Sequence, residues 1–197
     1  MADNRDLLSP AGIFSGPPDL SERVKETFGE VIEGKLEMNL PSPSEPITLG
    51  HGYYWQDIRV GQKFRTFRRT ITESDLVNFI GTTGMLEAIF IEVGYEHAAM
   101  KGRAVPGALT YALIEGFILQ SMIQGTGLAM LELHKKILAP VVVGDTVHAE
   151  IEVTAIRPTS KNNRAIVTSK IDVYNQRSEM VMTYKATRML AGRPDGV

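Results

Sequence analysis

Three side chains have the type and setting for moving protons. Glu87 and His97 lie in the segment TGMLEAIFIEVGYEH, residues 83–97, and imidazole is the usual acid–base near neutral pH. Glu115 lies in ALTYALIEGFILQSMI, surrounded by Leu113, Ile114, Phe117, Ile118 and Leu119. A carboxylate in that setting must be paired, protonated or employed. Each also has a plainer reading. Glu87 reads equally as a solvated loop carboxylate, His97 as facing solvent or stacking in the core. For Glu115 the plainer reading is a structural carboxyl bonded to Arg, Tyr or Thr across a dimer. Glu92 is placed to cap the short helix that follows it. Lys161 and Arg164, at the turn 159–164, could hold phosphates or stand as solvated hairpin charges. His51, His134 and His148 lack partners at metal-ligand spacing and read as structural.

The elements that must position these groups follow from patterning. Residues 1–50 form an extension, punctuated by Pro17, Pro18, Pro41, Pro43 and Pro46, with a helix starting at Asp19 and Glu22. The body, 51–197, begins with a strand from Arg65 to Ile71. Thr72 and Asp75 then form the start of a short helix through Ile80. Pro106-Gly107 opens a long apolar helix, expected to span about residues 107–124, which Gly125 and Gly127 end. Four strands follow: Leu128 to Leu138, Thr146 to Arg157, Arg164 to Tyr174 and Glu179 to Met189. Val147, Ala149, Ile151 and Val153 alternate with His148, Glu150, Glu152 and Thr154, the period of a half-buried strand. The order predicts an α+β single hotdog fold, an antiparallel sheet wrapped around a long central helix. One such unit leaves a sheet edge open, which predicts a homodimer or a higher even homo-oligomer.

Composition narrows the function classes. The 197 residues carry a formal net charge of -2, so no global attraction to nucleic acid or anionic membrane is expected. Cysteine is absent, which excludes a thiolate nucleophile, a disulfide framework and a Cys-based metal site. The longest nearly apolar stretch, about 104–123, is interrupted by Glu115 and Gln120 and reads as a core helix rather than a bilayer span. The amino terminus lacks the basic and apolar regions of a secretory signal, so the expected compartment is the cytoplasm.

The segment 83–97 resembles the hydratase motif of MaoC-like, (R)-specific enoyl-CoA hydratases, roughly T-G-D-x-N-P-I-H-x-D-x-x-Y. Thr83, Gly84, Ile89 and Tyr95 fall on matching positions and Glu92 on the second acidic one. Supporting segments are Asp57 to Gly61, PVVVGDT at 140–146 and VYNQRSEMVM at 173–182, so that the resemblance covers about residues 53–190. It implies an acyl-CoA (enoyl-CoA) substrate, with coenzyme A as part of the substrate and no separate cofactor.

The resemblance also marks departures. The family's catalytic Asp falls on Met85 and its catalytic His on Phe90, and neither side chain can hold or release a proton near neutral pH. The family's helix-opening His-Gly is Pro106-Gly107 here, with Gly107 placed to aim its amide at the thioester carbonyl. The resemblance therefore implies substrate contacts at Thr83, Gly84, Met85, Phe90, Pro106 and Gly107, with Lys161 and Arg164 toward the CoA phosphates. Glu87 or Glu115, alone or with His97, would replace the lost pair. Glu115 also lies nine residues after Pro106, where phenylacetyl-CoA-type hotdog thioesterases carry a carboxylate. The alternatives are thus a hotdog thioesterase or a non-catalytic acyl-CoA-binding or partner subunit.

Overall fold

A computed structural model describes residues 48–97 and 100–194. The helix expected from Asp19 and the Pro-rich linker up to residue 47 lie outside the described residues. A 3-10 turn at Trp55–Asp57 leads to β1 (Lys63–Arg65) and β2 (Arg69–Thr70). Helices α1 (Glu73–Thr83), α2 (Ala88–Ile91) and α3 (Gly107–Ser121) follow. Then come β3 (Gly127–Ile137), β4 (Thr146–Pro158), β5 (Arg164–Tyr174) and β6 (Met180–Ala191). The strands pair antiparallel in the order β1-β4-β5-β6-β3, with β2 on β4, and α3 provides the core of the wrap. This is the expected single hotdog.

Strand alternation determines what faces the helix. Val147, Ala149, Ile151 and Val153 on β4 are buried, as are Val167, Ile171 and Val173 on β5. On β6 the buried row is Met182, Tyr184, Ala186, Arg188 and Leu190. Helix α3 is apolar on almost every side because the sheet curls around it, and Leu109, Ile114, Phe117 and Ile118 are nearly fully enclosed. Burying each such side chain contributes about 1.5–3 kcal/mol before the entropy of ordering is charged against it. At α1 the anticipated cap is present: the Asp75 amide donates to Thr72 Oγ1, and Asp75 accepts from the Thr72 amide.

Two element boundaries differ from the sequence reading. The first strand is not continuous from Arg65 to Ile71 but breaks into β1 and β2. At the break Thr66 is buried, and its hydroxyl accepts the Ala149 amide at 2.9 Å, taking a place that a strand carbonyl would fill. The central helix ends at Ser121 instead of 124, and the chain reverses through Gly125 at φ +74°.

Among the described residues β3 is the outer edge of the sheet and pairs only with β6. All of its residues are exposed, including Leu128, Met130, Leu131, Leu133 and Ile137. Among the described residues no helix is long and apolar enough to cross a membrane.

Candidate functional site

Two cavities flank α3. The first lies at its N-terminus and has a volume of about 200 Å³. Its walls include Phe90, Met100, Pro106, Gly107, Thr110 and Met182. Pro106 is the N-cap residue, and its carbonyl accepts from the Leu109 and Thr110 amides. Gly107 and Ala108 occupy first-turn positions whose amides have no intrahelical acceptor, giving the positive end of the helix dipole. A side chain at Gly107 would place its Cβ 2.8 Å from Ile137 Cδ1, so glycine keeps the approach to this helix end open.

Among the described residues, the lining of this cavity contains no carboxylate and no imidazole. Among the described residues its one side-chain hydroxyl is that of Thr110, which is 1% exposed and has no hydrogen-bond partner there. The sequence reading missed Thr110. The available signal was its place one helical turn after Gly107, on the same face.

The remaining expected residues are distributed as follows. Phe90, on α2, lines the cavity, whereas Met85 is exposed in the preceding loop and does not line it. Thr83 and Gly84 terminate α1: Thr83 Oγ1 donates to the Phe79 carbonyl at 2.7 Å, and Gly84 takes the left-handed C-cap at φ +71°. Neither touches the cavity. Glu87 is the exposed N-cap residue of α2, without a side-chain capping bond. His97 is exposed and stacks edge-on to Tyr95, 5.5 Å between ring centroids. Glu92 follows α2 as its C-cap residue rather than capping a later helix.

Glu115 lines the second cavity, about 570 Å³, between the C-terminal half of α3 and the start of β3. There its Oε1 accepts from Tyr184 Oη at 2.7 Å and from Arg188 Nη2 at 2.6 Å. The partners come from β6 of the same chain, which corrects the expectation of a bond across a dimer. Tyr184 and Arg188 are four residues apart on a strand and therefore share its inner face. Burial, and then the neighbouring carboxylate charge, push the Tyr184 phenol far above its ordinary range. Tyr111, which also lines this groove, shifts upward for the same two reasons in the same order. None of Glu87, His97 and Glu115 thus lines the cavity at Gly107.

Lys161 and Arg164 are exposed at the β4–β5 turn, where Asn162 and Asn163 adopt left-handed backbone. Arg164 pairs with Ala191, whereas the cavity at Gly107 is lined by Val181 and Met182, near the other end of β6. The nine residue steps from 182 to 191 span about 30 Å of strand. These cations therefore stand away from the first cavity of their own chain.

Residues 59–184 match the family described as FAS1-like, dehydratase domain region. An (R)-specific enoyl-CoA hydratase from Rhodospirillum rubrum is 31% identical over 110 residues, covering 55% of this chain and 75% of the relative. The crystal structure of a MaoC-like dehydratase from the same organism superimposes with a TM-score of 0.64 at 27% identity, over 73% of this chain and 99% of that one. A double-hotdog protein from Mycobacterium tuberculosis shares the fold, with a TM-score of 0.68 at 18% identity over 77% of this chain and 47% of that one.

Proposed function

The chain belongs to the MaoC-like hydratase and dehydratase family, and from that premise we infer that it binds an acyl-CoA thioester at the N-terminus of α3. The thioester carbonyl lies against the Gly107 amide, and the acyl group lies against Phe90, Met100 and Met182. One observation carries this reading: the cavity combines a free helix N-terminus with an apolar wall. Hydration needs two titratable groups, one to activate water and one to manage the Cα proton. Met85 and Phe90 supply neither. The protein is therefore an enoyl-CoA hydratase/dehydratase by scaffold with a degenerate acid–base pair. Glu87 lies outside the cavity lining but opens α2, which carries Phe90 to its wall, and is the candidate base for residual turnover, with His97 next.

The thioesterase alternative is weaker on geometry. Glu115 stands about two turns, roughly 12 Å, along the helix from Gly107, and its Oε1 is already engaged by Arg188 and Tyr184. The partner-subunit reading draws support from the open, apolar edge of β3. A second copy pairing there gives a homodimer.

The test is binding and turnover on the same protein. Crotonyl-CoA is expected to bind in titration calorimetry yet be hydrated about a hundredfold or more slowly than by the Rhodospirillum rubrum hydratase. Glu87→Gln should lower the residual rate further. Hydration at the relative's rate, undiminished in Glu87→Gln and Glu115→Gln, would sink this reading.

A further inference from the structure

We propose that the groove between the C-terminal half of α3 and the start of β3 recognises a neutral hydroxyl at the far end of a medium-length acyl chain. This rests on the thioester site proposed at Gly107 and extends it to a substrate class.

The groove walls are apolar, formed by Leu119, Ile123, Leu128 and Met130, but its floor is the Glu115–Arg188 pair. Both residues are nine-tenths or more buried. Among the described residues, every hydrogen bond of the pair runs through Glu115 Oε1 and Arg188 Nη2. Glu115 Oε2 and the other guanidinium nitrogens have no partner among the described residues, and the groove is the cavity that both residues line. A buried ion pair is a poor stabilising device, because apolar residues of the same volume often serve as well or better. Recognition of a polar group by the spare acceptor and donors accounts for the pair in this wall.

The chemistry of the ligand follows from charge. A carboxylate would gain Arg188 but meet Glu115, and an ammonium would do the reverse. A hydroxyl both donates and accepts, and satisfies the two together. The position follows from the helix. Gly107 abuts Ile137, Tyr111 lies under Lys135 Nζ at 4.5 Å, and Glu115 bonds Arg188, which pairs with Met130. Helix α3 thus runs antiparallel along β3, with Tyr111 standing between the two cavities. The eight residues from Gly107 to Glu115 rise about 12 Å. That is about ten bonds of extended chain at roughly 1.2 Å per bond.

The test uses the full chain and titration calorimetry with crotonyl-CoA, decanoyl-CoA, 10-hydroxydecanoyl-CoA and the ω-carboxylate analogue. The hydroxylated ligand is expected to bind at least about tenfold tighter than either ten-carbon competitor, as hydrogen bonds to charged groups allow. In Glu115→Leu/Tyr184→Phe/Arg188→Met that preference should collapse to within about twofold. Tyr184 is included because its hydroxyl would otherwise be left buried without an acceptor. Should that variant not fold, Gly116→Leu carries the test, since a Cβ there meets only Gln120 Nε2 at 3.8 Å. It should weaken both decanoyl and hydroxydecanoyl ligands at least about tenfold relative to crotonyl-CoA. Equal affinities for decanoyl-CoA and its hydroxylated form, with crotonyl-CoA still bound, would overturn the proposal and leave the thioester site standing. That outcome includes a groove filled by a second copy. A preference that survives the triple substitution also overturns it. Failure of every thioester to bind removes both readings.

Discussion

Arg188 illustrates how a single side chain determines what its neighbour can be. Alone on α3, the Glu115 carboxylate would be buried without a counter-charge; with Arg188 Nη2 at 2.6 Å it is compensated. Arg188→Met by itself should therefore cost about 3–5 kcal/mol. For a domain of this size that lowers Tm by about 10 °C in a circular dichroism melt. A change within a degree or two would mean that the pair is solvated. His148 supplies a pH-dependent case. It stacks on Tyr174 with ring centroids 5.8 Å apart, and its Nδ1 is buried without a partner among the described residues. Burial pushes its pKa down, Arg68 and Arg65 push it further, and Glu150 opposes them. A depressed folded-state pKa means that the unfolded chain binds the proton more readily. The associated stability is present above pH 6.5 and is lost as pH falls through the lower folded value. The pH-dependent loss of Tm between pH 7.5 and 5 should be smaller in His148→Phe than in the unaltered protein. Equal slopes would assign the dependence elsewhere.

At the scale of elements, the glycines and caps decide where α3 and α1 begin and end. Gly52 donates to the Gln124 carbonyl at 2.7 Å, tying the chain's entry to the exit of α3. A Cβ there would lie 2.5–2.7 Å from backbone atoms of Ile123 and Gln124. Backbone cannot step aside as a side-chain tip can, so Gly52→Ala should destabilise by about 1–3 kcal/mol. Gly116, in the middle of α3, has the opposite sign. Gly116→Ala should raise stability by about 0.5–1 kcal/mol, because alanine restricts the unfolded chain without a clash. Paired urea melts check both, and a loss at Gly116 matching that at Gly52 would contradict the contact geometry. Thr72→Ala removes the α1 cap and should cost about 1 kcal/mol.

At the scale of the whole domain, β3 pairs with β6 on one side and, among the described residues, leaves its other side open. β3 is 11 residues long and exposed throughout, with apolar side chains along an open edge. Such an edge is a template for another strand, and a second copy satisfies its unpaired amides and carbonyls by two-fold symmetry. Light scattering should give twice 21.7 kDa. Leu128→Lys with Leu131→Lys should shift the mass toward the monomer, because edge lysines oppose strand addition. A monomer at all micromolar concentrations would exclude pairing at this edge.

Periodicity and punctuation were sufficient for the hotdog, because strand alternation and the 3.6-residue helix period are local consequences of backbone geometry. They located α3, the four long strands and the α1 cap to within a few residues. The break at Thr66 was not legible, since it depends on a hydroxyl meeting the Ala149 amide 83 positions away. The same division holds at the candidate site. Sequence alone flagged Met85 and Phe90 as positions without proton chemistry and Glu115 as a carboxylate needing compensation. Only the tertiary structure decided that Arg188 and Tyr184 provide it, that Glu115 lines a different cavity from Gly107, and that Thr110 stands beside Gly107 without a partner among the described residues. Which groups share a cavity depends on the register in which β6 is laid against α3, a long-range pairing that no local pattern encodes.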